Sequence, residues 1–166
     1  MMNVLDNTLG YTNIIVLALD GATPRFTSGL QNMLRQVSAI FGDTWWDFMM
    51  VGVTKWKLSQ AAIDERESNC DFYGEESDFC INENKFIRTW NTEINEKFDL
   101  ERNFTFAFTD SFSQSGPNVM DEVQQGNWIN ETSKIWEGAT NFNQSFTFKT
   151  IGQRHKILIL LVKPFY

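Results

Sequence analysis

Asn13-Ile-Ile-Val-Leu-Ala-Leu19 is apolar at successive positions, not at alternate ones. A strand of that kind must bury both of its faces, which an antiparallel sheet with one wet face does not require. The run therefore directs the chain toward a parallel sheet covered by helices on both sides. Two further runs fit the same sheet, Phe48-Met-Met-Val-Gly-Val53 and Phe104-Thr-Phe-Ala-Phe-Thr109.

The segments between these strands carry helical periodicity. Leu30, Met33, Leu34, Val37, Ile40 and Phe41 form one stripe of an amphipathic helix, with Thr27 or Ser28 as its N-cap and Gly42 placed to end it. Phe86, Ile87, Trp90, Ile94 and Phe98 mark a second helix over roughly 84–98. A third helical region holds Met120, Val123, Ile129, Ile135, Trp136 and Ala139, with Gly126 as a candidate break. Between Thr54 and Glu83 the pattern is least regular, with room for a short helix around Ser59–Glu67. Phe146–Lys149 reads as a short extra strand, and residues 152–166 form a tail with no assignment. The expected fold class is α/β, a three-layer parallel sheet flanked by helices with right-handed crossovers. In such sheets ligands sit beyond the carboxyl ends of the strands, which singles out the loops after Leu19, Val53 and Thr109.

Charge and length narrow the function classes. The 166 residues suit one domain, and 14 Lys+Arg against 21 Asp+Glu leave a formal charge of −7. No basic patch is present for tracking a phosphate backbone, so nucleic acid is not an expected partner. The apolar runs at Ile14–Leu19 and Ile157–Val162 fall far short of the ~20 residues that span a bilayer, and Met1 is not followed by a basic leader. A cytoplasmic, reducing compartment is the expectation, against which three Asn-x-Ser/Thr tripeptides stand, at Asn103, Asn130 and Asn143. Cys70 and Cys80 flank a nine-residue acidic spacer and read either as a local disulfide or as two free thiols. Neither zinc nor calcium is expected, because ligands at the right spacing are missing.

The sequence contains no GxxxxGK[ST] phosphate loop, no GxGxxG fingerprint and no GxSxG elbow. A single histidine, His155, leaves triad chemistry poorly supplied, and no catalytic residue is assigned. Two short segments remain at the expected ligand-binding edge. Thr54-Lys55 follows the second strand, where a Thr-Lys or Asn-Lys pair followed by Asp is a way of reading guanine: the carboxylate takes the base N–H groups and the Lys stem covers the ring. Trp56 and Lys57 stand where that Asp is needed. Asp110-Ser111 follows the third strand and suits either a base contact or a turn cap.

The order of these motifs resembles the immunity-associated, avirulence-induced-gene type (GIMAP) GTPases. The likeness rests on a buried strand, Arg25-Phe26-Thr27 opening a long helix, Phe41-Gly42, a strand ending in Thr54, the Phe104–Ser113 strand with its Asp-Ser, and Phe146-Thr-Phe-Lys-Thr-Ile151. It covers residues 10–151, read as the C-terminal portion of a G domain with a P-loop-NTPase-like, incomplete sheet. The resemblance implies a parent that binds GTP or GDP, hydrolyses it slowly and forms membrane-associated oligomers. Only Thr54, Lys55, Asp110 and Ser111 match base-contacting positions, and nothing matches the magnesium or γ-phosphate positions. This chain is thus expected to bind no nucleotide tightly and not to hydrolyse GTP alone. The strand at Asn13–Leu19 is expected to lack its outer neighbour, leaving an apolar edge for a homo-oligomer or a complementing chain. The rival expectation is a non-enzymatic interaction module that uses this edge or the acidic Cys70–Cys80 loop.

Overall fold

A computed structural model of the protein describes residues 11–12, 14–21, 25–110, 122–141, 146–147 and 157–161. Its main sheet has four parallel strands: β2 (Ile14–Asp20), β3 (Met49–Thr54), β4 (Thr105–Phe108) and β6 (Ile157–Leu161), in the spatial order β4-β3-β2-β6. The β2–β3 register runs from Ile15↔Met49 to Asp20↔Thr54, and the β3–β4 register from Met50↔Thr105 to Val53↔Phe108. A separate antiparallel pair joins β1 (Tyr11–Thr12) to β5 (Phe146–Thr147).

The two faces of β2 divide as the unbroken apolar run requires. Ile15, Leu17 and Leu19 join a large core, while Ile14 and Val16 turn to the opposite face. The large core packs against helix α1 (Ser28–Phe41), a 3-10 helix at Asp43–Phe48, and helix α3 (Glu83–Phe98). Its aromatic content is high, with Trp45, Trp46, Trp56, Phe86, Trp90, Phe104, Phe106 and Phe108 all buried. Each fully buried side chain of this class contributes about 1.5–3 kcal/mol relative to exposure. The opposite face, formed by Ile14, Val16, Met50 and Ala107, is covered by Ile135 of helix α4 (Glu122–Asn141). Helices therefore lie on both faces, and the α/β layering follows from the pattern of the strands.

Local chemistry sets the helix ends. Thr27 Oγ1 accepts from the Leu30 N–H and caps α1, and Gly42 terminates it at φ 73°, a conformation that favours glycine. Asn82 caps α3 by accepting from the Lys85 N–H at 2.8 Å.

Four expectations change. The edge of β2 that was expected to be open is paired: β6 lies parallel to it, from Ile14↔Ile157 to Ala18↔Leu161. The physical reason is in the tail itself, since Ile157–Leu161 is an unbroken apolar run, the sequence pattern of a parallel strand. Part of the unassigned 152–166 segment is accordingly a strand of the main sheet. The irregular stretch after β3 contains helix α2 (Gln60–Tyr73), longer than the helix expected there. Gly126 does not divide α4, whose backbone runs continuously past it; one glycine costs a long helix only about 1 kcal/mol.

Candidate functional site

The carboxyl edge of the sheet brings three of the four proposed base-contacting residues to one place. Because Val53 pairs with Phe108, Thr54-Lys55 and Thr109-Asp110 emerge level with one another. The two segments are stitched together beyond the ladder, where the Thr109 N–H donates to the Val53 carbonyl at 2.7 Å and the Trp56 N–H to the Thr109 carbonyl at 3.1 Å. Ser111 lies outside the described residues.

Each of the three has partners within the protein. The Thr54 hydroxyl donates to the Leu19 carbonyl at 2.9 Å, tying β3 to β2 at their ends. Lys55 adopts a left-handed backbone at φ 58°, and its half-exposed ammonium pairs with Asp20 at 2.5 Å. Asp110 is 7% exposed and accepts from Gln124 Nε2 of α4 at 3.2 Å. Gly21 closes the edge by donating its N–H to the Thr54 carbonyl at 2.8 Å. The edge thus presents a half-exposed Lys55–Asp20 ion pair and, from the adjacent strand, a buried Asp110 carboxylate oriented by Gln124. Such an arrangement has the polarity needed to grip a heterocycle bearing both donors and acceptors.

A polar cleft of about 420 Å³ opens beside this edge. It lies among α2, the start of α3 and α4, and Arg66, Asn82, Glu83, Asn127 and Glu131 line it above Leu58. Asn127 Nδ2 donates to the Leu58 carbonyl at 3.2 Å, holding α4 against the segment after β3. Arg66 donates to the Lys57 carbonyl at 2.9 Å and lays its guanidinium 4.9 Å from the centroid of the buried Trp56 ring. Burial pulls the Arg66 pKa down from its ordinary value, an effect opposed by Glu83, Glu65 and Glu67. Burial pushes the Glu83 carboxyl up, and the nearby Glu131 adds to the rise. Glu131 itself is buried, accepts from the Phe108 N–H and pairs with Lys134.

The Trp56 indole N–H is buried and makes no full hydrogen bond among the described residues. It lies close enough to Glu83 to favour the ionised carboxylate slightly, while missing hydrogen-bond geometry. The cleft supplies a carboxyl whose pKa burial raises and a guanidinium, and its lining among the described residues includes no serine, cysteine or histidine. No group of three or more potential metal ligands occurs among the described residues.

Sequence reasoning missed this cleft. Glu83 is concealed within a run of acidic residues, but Glu131 carries a signal. It shares a helical stripe with Trp128 and Ile135, three residues after one and four before the other, so it must face the protein interior with them. Cys70 and Cys80 are joined in a disulfide of 2.06 Å, which resolves the choice between bridge and free thiols. No helix among the described residues is long and apolar enough to cross a membrane. Compared with protein-family models, curated proteins and solved structures, the chain has no match in any of the three.

Proposed function

We propose that this chain is the guanine-reading part of a P-loop-NTPase-like, GIMAP-type G domain, with Lys55 and Asp110 at the base. One observation carries the reading: Thr54-Lys55 and Asp110 leave adjacent parallel strands in register, at the edge where α/β sheets bind nucleotides. In this reading the Lys55 stem covers the purine face, and Asp110, held by Gln124, accepts from the base N–H groups. The sequence holds no phosphate loop, so the phosphates contribute little and GTP is not hydrolysed by this chain alone.

Ligand-observed NMR with guanosine and adenosine tests the reading. Guanosine should give saturation transfer that adenosine does not, and Lys55→Ala or Asp110→Asn should remove the difference. Equal transfer from both nucleosides overturns base selectivity. Micromolar, magnesium-dependent GTP binding overturns the claim that the phosphates go unheld.

A further inference from the structure

The end of α2 and the loop that joins it to α3 carry an unusual surface. Phe72, Tyr73 and Phe79 are 80%, 50% and 67% exposed, and Ile81 beside them is 44% exposed. Tyr73 sits between the two phenylalanines, with ring centroids 4.8 Å from Phe72 and 4.9 Å from Phe79. Their exposure forgoes about 1.5–3 kcal/mol of burial for each ring. Isolated exposed aromatics are ordinary, but a contiguous group marks a contact surface.

The group is fixed in place. Cys70, at the last turn of α2, and Cys80, just before α3, are both buried and bridged, so the aromatic loop is clipped at its two ends. The Lys85 ammonium donates to the Ser77 carbonyl at 2.6 Å and holds the middle of the loop to α3. Pre-ordering of this kind lowers the entropy lost on association.

The charges identify the occupant. Asp71, Glu75, Glu76 and Asp78, interspersed in sequence with the three rings, are all exposed. Glu76 pairs with Arg88, while Asp71, Glu75 and Asp78 have no ion-pair partner among the described residues. A second copy of the same face would set carboxylates against carboxylates, and an anionic bilayer would be repelled in the same way. Guanidinium groups suit both halves of the surface, because they stack on aromatic rings and pair with carboxylates.

We infer that the disulfide-clipped Phe72–Tyr73–Phe79 surface docks an arginine-bearing basic segment of a partner protein, whose guanidinium groups stack on the rings and pair with Asp71, Glu75 and Asp78. The test is fluorescence anisotropy with a labelled arginine-rich peptide, beside a lysine peptide of equal length and charge. The arginine peptide should bind more tightly. The double variant Phe72→Ser/Phe79→Ser, which removes only exposed rings, should weaken binding about tenfold, the scale of one or two lost cation–π contacts. Glu75→Gln/Asp78→Asn should weaken it and flatten its salt dependence. Reduction of the disulfide should also weaken it. Equal affinity for the two peptides, or full affinity in the ring variant, overturns the proposal. So does concentration-dependent dimerisation lost in the ring variant, or sedimentation of the protein with phosphatidylserine vesicles.

Discussion

The Phe108 backbone N–H donates to Glu131 Oε2 across 3.0 Å in the protein interior. β4 is the outermost strand on its side of the sheet, and Thr109 turns its backbone groups toward β3. Alternation then points the Phe108 N–H outward, at an edge that offers no strand to receive it. A carboxylate from α4 supplies the acceptor, so one buried glutamate both finishes the sheet edge and fixes the helix that covers it.

Replacing Glu131 with Ala should therefore destabilise the protein by about 1–3 kcal/mol, the cost of a buried backbone donor left without an acceptor. Glu131→Gln keeps an acceptor oxygen and should recover most of the loss. Urea denaturation of both variants checks this, and equal midpoints for Ala and Gln would sink the assignment of the carboxylate as an edge cap.

The Cys70–Cys80 bridge closes a loop with a sequence separation of ten. A loop of that size restricts the unfolded chain by about 2–3 kcal/mol on the entropic account. The variant Cys70→Ser/Cys80→Ser, or the native protein in reductant, should lose stability on that scale in thermal denaturation. The double variant should no longer respond to reductant. A response that persists would have to come from something other than this bridge.

Gly21 bears on the sheet edge directly. A Cβ built there would fall 2.9 Å from the Thr54 carbonyl oxygen and 2.9 Å from Val53 Cγ1, with Trp56 at 3.2 Å. The first neighbour is backbone and the other two belong to buried residues, so none can swing aside. Gly21→Ala should destabilise by about 1–3 kcal/mol, as overpacking does. It should also shift the amide NMR signals of Thr54 and Lys55. Spectra unchanged at both residues would show that the edge is looser than this contact implies.

Strands β2, β3 and β4 were legible because short apolar runs bounded by turn residues fit a doubly covered parallel strand. Asn13–Leu19 carried that information by itself, and α1 followed from a stripe bounded by Thr27 and Gly42. Ile157–Leu161 has the same signature, yet its assignment required knowing which edge was vacant, a fact of topology that no local pattern contains. The long α2 was obscure for a related reason. Of its residues only Ala62 and Cys70 are buried, so it leaves almost no apolar stripe to detect. At the candidate site, the order of elements placed Lys55 and Asp110 after neighbouring strands, while the register that brings them level is seen only in the folded chain. The cleft did not follow, since Arg66, Glu83 and Glu131 come from three helices and meet only in the folded chain.

Glu83 should make stability depend on pH in a direction that separates it from most surface acids. Burial first, and then the neighbouring Glu131, raise its carboxyl above the ordinary glutamate value. The folded state therefore holds this proton at pH values where the unfolded chain has released it. Stability falls as pH rises through the window between the ordinary value and the raised one, and below that window the penalty is absent. Glu83 is only partly buried and lies in the first turn of α3, where the helix dipole favours a negative charge, so solvent and dipole both mute the effect. Glu83→Gln cannot ionise and should escape the penalty. Its stability relative to the native protein should rise with pH across the window and stay level on either side. Glu93, also raised by burial and by Glu96, is present in both proteins and cancels from the comparison. Chemical denaturation of the pair at closely spaced pH values reads the difference directly. A difference that falls with rising pH would mean that Arg66 and the helix dipole outweigh burial, and that Glu83 is held as a carboxylate in the cleft.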